Sequence, residues 1–205
     1  MKIMDGDMTG LEDLDGRISH EAVIRFLNGN MFKKRLDQMV ANSQDYEQGL
    51  KVVFLAGSGK CAIVDMDDVS PESVGGGHIE PEDMSLFEVH THPIQRGNSL
   101  HTVPSDEDLK PSFRNEGPFA KAVVVMGSNF QAWVWETPKT ISSVKIAVRW
   151  RQGLVRINDP SYSDLDDLFA QLGDGGLKIG RGELERDRLA GSLVDLIEST
   201  GIRFG

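Results

Sequence analysis

Cysteine is nearly absent. Cys61 is the single one in 205 residues, which excludes an intramolecular disulfide and any zinc site built on several thiolates, and agrees with a reducing compartment. Long apolar runs are missing too. The longest, such as Ala122–Met126, fall far short of the roughly 18 consecutive residues that a membrane helix needs, and suit buried strands. Residues 1–16 have neither the basic start nor the apolar stretch of a secretory signal. A soluble, cytoplasmic protein with no membrane partner is therefore expected. Positive charge is in deficit as well: 22 Lys and Arg face 32 Asp and Glu, a formal charge of −10. Sequence-independent binding to phosphate backbones or anionic lipids needs clustered Lys and Arg, so nucleic acid is not an expected partner.

The remaining composition, 39% hydrophobic and 26% charged, is that of a globular chain long enough for one substantial core and an appendage. Residues 1–18 hold five acidic side chains and apolar residues without a period, and read as an acidic leader. Ile24, Phe26, Leu27, Met31, Phe32, Leu36, Met39 and Val40 recur at helical spacing over 19–44, with a break at Gly29. Residues 49–56 and 60–66 then flank Gly57-Ser58-Gly59, a hairpin pattern. Residues 67–84, with two prolines and the Gly75-Gly76-Gly77 triplet, read as a long loop.

Alternation over 85–92, ended by Pro93, predicts a strand. A short helix limited by Pro111 starts near Ser105, and further strands are expected at 121–127, 130–137 and 142–150. The last quarter reads as loop at 151–163, a helix at 164–172, a glycine-rich joint at 173–182, a stronger helix at 183–199 and a plain tail. The fold class expected is α/β (α+β), a mixed sheet flanked by helices. The organisation is a leader at 1–18, a main domain at 19–150 and a C-terminal helical extension at 151–205.

Chemistry concentrates in Glu88-Val89-His90-Thr91-His92-Pro93 and, further on, Pro104-Ser105-Asp106-Glu107-Asp108-Leu109. Residues i and i+2 of a strand share a face, so His90 and His92 can aim both imidazoles at one point while Thr91 faces away. A catalytic Zn²⁺ takes about three protein ligands and keeps one position for water, and two imidazoles with one carboxylate satisfy it without thiolates. Asp108 is the candidate carboxylate. Taken alone, a His-x-His pair at a strand end is more often two solvated side chains than a metal site, and Ser105-x-x-Asp108 is a helix start with a capping-box pattern. The cap and the ligand roles are compatible. Glu88 shares the histidine face and could orient an imidazole or serve as a base.

These residues together resemble the JAMM metalloproteases, also called the MPN-plus or JAB family, with the pattern E…H-[ST]-H-P…S-x-x-D. His90, Thr91, His92 and Pro93 match the centre, Ser105 and Asp108 the second half, and Glu47 before Gly49-Leu50 the upstream glutamate. Twelve residues separate His92 from Ser105, longer than the family's usual spacing. Ser99 is closer but has Thr102 where Asp is required, and His101 within this excursion is a minor alternative ligand. The resemblance covers roughly residues 20–150 and implies a cytidine-deaminase-like MPN/JAB architecture of prokaryotic type.

It further implies one Zn²⁺ per chain on His90, His92 and Asp108, with Glu47 favoured over Glu88 as the base and Ser105 as oxyanion donor. The implied activity is hydrolysis of a peptide or isopeptide bond, at the C-terminus of a ubiquitin-like modifier or sulfur-carrier protein. A non-catalytic scaffold of the same fold and a cell-wall or phage-tail peptidase are the competing expectations. The loop at 67–84 and the excursion at 93–104 could flank a groove for an extended substrate tail, with Gly75–His78 as guide or as flexible linker.

Overall fold

The computed structural model describes residues 18–71, 73–93, 104–105, 108–109, 117–127, 129–137 and 178–205. Helix α1, His20–Leu27, starts where the Ser19 hydroxyl accepts a bond from the Ala22 amide, and it buries Ala22, Val23, Phe26 and Leu27. Asn28 and Gly29 interrupt the helical stretch as expected, and α2, Asn30–Asn42, resumes with Phe32, Leu36, Met39 and Val40 inward.

Strands β1 (Gly49–Leu55) and β2 (Lys60–Met66) form the antiparallel hairpin read from the sequence. The stretch 67–84 is not all loop: β3 (Asp68–Val69) and β4 (Val74–Gly75) pair as a small hairpin. The glycines that follow are fastened rather than free. Gly76 and Gly77 adopt φ of 77° and 68°, the Lys51 ammonium donates to the Gly76 carbonyl at 2.8 Å, and the Gly77 amide donates to Asp67 at 3.2 Å. Two of the three glycines thus take the left-handed backbone that favours glycine, and the turn is hydrogen-bonded to Lys51 of β1 and to Asp67.

Strands β5 (Met84–His92), β6 (Ala120–Val125), β7 (Phe130–Glu136) and β8 (Ile179–Leu184) complete a six-stranded sheet in the order β2-β1-β5-β6-β7-β8. Among the described residues, only the β5–β6 pair is parallel. The architecture is thus a mixed sheet flanked by helices. A parallel step requires the chain to travel back along the sheet between the two strands. Ser105 and Asp108 fall in the sequence between these two strands, and β5 ends at His92.

One face of the sheet packs Leu50, Val52, Phe87, Val89, Ala122 and Val124 with the helices. All six β6 residues are buried, so the opposite face is covered as well, as expected for a strand with a parallel neighbour. His90, His92, Glu88 and Lys121 lie on that opposite face by alternation and register.

The carboxyl-terminal stretch differs from its sequence reading. Residues 179–184, expected as part of a glycine-rich joint and a helix start, form β8 against β7. A 3-10 turn at Arg186–Arg188 follows, and α3 runs over Leu189–Ser199 rather than from 183. The described part of the expected helical extension thus contributes a strand and a helix to the main core. The final residues are no plain tail either. Ile202 and Phe204 are buried, and Phe204 stacks on His20 at 5.9 Å and meets Phe119 at 5.7 Å and Phe87 at 6.5 Å. The Phe204 amide donates to His20 Nδ1 at 3.2 Å. Removing a buried aromatic leaves a cavity that rigid neighbours fill poorly. Phe204→Ala should lower unfolding free energy by about 3–5 kcal/mol, read as a fallen denaturant midpoint at unchanged slope.

The leader at 1–17, the strand expected at 142–150 and the helix expected at 164–172 lie outside the described residues, as does His101. Among the described residues no helix is long and apolar enough to cross a membrane.

Candidate metal centre

Three segments meet at the carboxyl end of β5. The strand's period of two sends His90 and His92 to one side, and their Nε2 atoms stand 3.2 Å apart, buried from solvent. The intervening Thr91, on the other face, ties down the second segment: its amide donates to the Gln48 carbonyl at 2.9 Å, and its hydroxyl accepts from the Gln48 amide at 3.1 Å. This clamp fixes the backbone next to Glu47. Its carboxylate, only 5% exposed, reaches within 3.7 Å of His92 Nε2.

Close approach here depends on Gly49, paired with His90 in register. A Cβ at that position would lie 2.6 Å from the Met66 sulfur and 3.3 Å from both His90 Cβ and a Val74 methyl. Even a methyl here would displace the Met66 thioether and press the His90 and Val74 side chains by a few tenths of an ångström.

The third segment is the helix start at Ser105. Its backbone amide and hydroxyl both donate to Asp108 Oδ2, at 2.6 and 2.8 Å, and the Asp108 amide donates back to the hydroxyl at 3.2 Å. This reciprocal cap is the local physics predicted by Ser-x-x-Asp, and it holds the Asp108 carboxylate from one side. From the other side Asp108 Oδ1 is 2.9 Å from His90 Nε2, and Oδ2 is 3.3 Å from His92 Nε2. The cap and the ligand roles are thus geometrically compatible in one residue.

Glu47, His90 and His92 form a buried group able to hold a metal ion, and the Asp108 carboxylate lies against both imidazoles. The spacing carries size information. Three donors bonded at about 2.0–2.1 Å stand roughly 2.9–3.4 Å apart for angles between 90° and 109°. The His90–His92 separation of 3.2 Å falls in that window, and the Asp108 carboxylate sets one oxygen against each imidazole, Oδ1 at 2.9 Å from His90 and Oδ2 at 3.3 Å from His92. A Ca²⁺ site, with oxygen donors at 2.3–2.6 Å, would be wider and would not use imidazoles. Nδ1 of His90 is buried with no hydrogen-bond partner among the described residues, so the polar contacts of that ring are concentrated at the atom facing the site.

Electrostatics couple the same groups. Burial alone would lower the His90 pKa, but the Asp108 carboxylate beside it outweighs that and raises it above the ordinary imidazole value. Burial would raise Asp108, and here the charge of His90 and hydrogen bonds from both imidazoles hold it well below the usual carboxylate range. A proton on His90 therefore competes with any metal for Nε2 up to higher pH than it would on an ordinary imidazole.

Glu88 stands apart from this cluster although it shares the strand face. Its carboxylate is 3.0 Å from the ammonium of Lys121, both nearly buried. Lys121 is the residue of this neighbourhood that sequence reasoning passed over, as the first letter of an apolar strand. Cys61 has no place here: burial pushes its thiol up to about 12, which leaves it without thiolate character. No family model, curated protein or solved structure matches the chain.

Proposed function

We propose that the chain is a zinc-dependent peptidase or isopeptidase of the JAMM type, with the MPN/JAB arrangement of sheet and helices. The observation that carries the reading is the convergence of two buried imidazoles, Nε2 atoms 3.2 Å apart, on one carboxylate, with Asp108 Oδ1 at 2.9 Å from His90 and Oδ2 at 3.3 Å from His92. Two imidazoles and one carboxylate suit a catalytic zinc and leave one position for water. A zinc ion held there supplies a Lewis acid and an ionised water near neutral pH.

The roles of the chain's own residues follow from distance. Glu47 stands 3.7 Å from His92 Nε2, farther than the three ligands stand from each other, which suits a base that faces the attacking water rather than a fourth ligand. Its carboxylate takes the proton from water and returns it to the leaving amine. Glu88 is held by Lys121 and is not free to do the same. The Ser105 hydroxyl rests on Asp108 Oδ2. It can turn to a developing oxyanion while the Ser105 amide, at 2.6 Å, keeps the carboxylate in place.

The substrate class is a peptide or isopeptide bond following the extended C-terminus of a ubiquitin-like or sulfur-carrier protein. The test is elemental analysis of the purified protein alongside incubation with ubiquitin-like fusions and with cross-linked peptidoglycan peptides. About one zinc per chain and cleavage of the fusion after the modifier's last residue are expected. A chain that retains no metal and cleaves neither substrate is a scaffold, and the proposal fails. Zinc with cleavage of the wall peptides alone would replace the substrate class.

A further inference from the structure

A buried ammonium needs a reason. Lys121 lies on β6 directly across from Glu88 of β5 in the parallel register and is 6% exposed. Taking both charges of such a pair out of water costs several kcal/mol per ion, and an apolar pair of similar volume is often as stable or more so. The pair is thus poorly explained as a stabilising device. Its geometry offers another explanation. The Lys121 ammonium sits 3.0 Å from Glu88 Oε1 and also donates to the main-chain carbonyl of Asp108, at 3.4 Å.

Glu88 is two residues before His90, on the same strand face, so one cation bridges the histidine strand and the turn that presents Asp108. Leu109, 1% exposed, seats the same turn without fixing its direction, since an apolar contact is not directional. The capping bonds from Ser105 are internal to the turn. They shape it but do not attach it to the sheet. The Asp108 carboxylate does meet His90 and His92 of the sheet, but a bound metal would take the place of those contacts and leave the Lys121 bridge.

We infer that Lys121 is a positioning residue, held by Glu88, that registers the Asp108 turn against the strand carrying His90 and His92. The inference rests on the metal-site reading for its consequence in binding, but the contact itself is independent of any metal.

The test compares wild type with Lys121→Met/Glu88→Met, which removes both charges and avoids an unpaired buried partner. Its unfolding midpoint should equal or exceed that of wild type. In metal-free protein, amide exchange at Asp108 and Leu109 should nonetheless accelerate relative to the sheet. Zinc affinity, from chelator competition, should fall by about 10–100-fold, the usual loss when a group behind a ligand is removed, and the Co²⁺ absorption spectrum should shift. Unchanged exchange at 108–109 overturns the inference. So does unchanged zinc affinity and Co²⁺ spectrum in a wild type that binds metal. A wild type that binds no metal sinks the metal-site reading instead, and the exchange result still decides the role of Lys121.

Discussion

Asp108→Asn should lose zinc by more than about 100-fold in affinity while remaining folded, because an anionic ligand is replaced by a neutral amide of the same shape. The Ser105 amide and hydroxyl, which now donate to Oδ2 at 2.6 and 2.8 Å, can still find the amide oxygen, so the helix start survives. The loss has a second signature. In the native chain Asp108 raises the His90 pKa against the opposing effect of burial. In the variant burial acts without that carboxylate, and His90 sheds its proton at lower pH.

Proton competition then weakens in the variant, so its residual affinity should change less between pH 6 and 8 than that of wild type. Chelator competition at several pH values measures both quantities. Wild-type affinity retained by the variant would remove Asp108 from the ligand set and leave Glu47, His90 and His92 as the alternative group.

The sequence exposed this centre unevenly, and the reasons are physical. His90 and His92 were legible because the period of a strand is rigid: once 85–92 alternates and stops at Pro93, the two rings must share a face. Asp108 was legible through a local rule, the Ser-x-x-Asp cap, which the chain forms from its own neighbouring atoms. Glu47 obeys no local rule. Its approach to His92 depends on the Thr91–Gln48 clamp across 43 residues, and only the order of motifs pointed to it.

Lys121 shows the opposite failure. A single charge before Ala122-Val123-Val124-Val125 reads as the polar edge of a strand, and nothing nearby indicates that a carboxylate waits in register on the parallel neighbour.

The carboxyl-terminal errors have one origin. Gly180 and Gly182 weaken the strand signal of 179–184, yet Gly180 is required by the helix above: a Cβ there would collide with the Thr200 methyl and stand 3.2 Å from Leu196 Cδ1. Helix packing chose glycine where strand propensity would have chosen a branched side chain. Ile202 and Phe204 did carry a signal, two apolar residues at a spacing of two, but a pattern of five residues is too short to outweigh the glycines around it.

Glu47→Gln separates chemistry from binding more sharply than any other single change here. The side chain keeps its volume and its buried position but cannot accept the water's proton. Under the proposed function the three ligands are untouched, so zinc content should stay near wild type while turnover falls by about 10²–10⁴-fold, the usual worth of a positioned general base. Glu88→Gln is the matched control. Its amide oxygen still accepts from Lys121, now without the opposing charge, so the cost appears in stability and in metal affinity through the Asp108 turn.

At saturating zinc, turnover per folded molecule should therefore remain close to wild type in Glu88→Gln and collapse in Glu47→Gln. The reverse pattern would move the base to Glu88, which the 3.0 Å contact with Lys121 now opposes. Equal loss in both variants, with zinc retained, would mean that neither carboxylate alone carries the proton. The 3.7 Å separation of Glu47 from His92 Nε2 would then describe only a neighbour of the metal site.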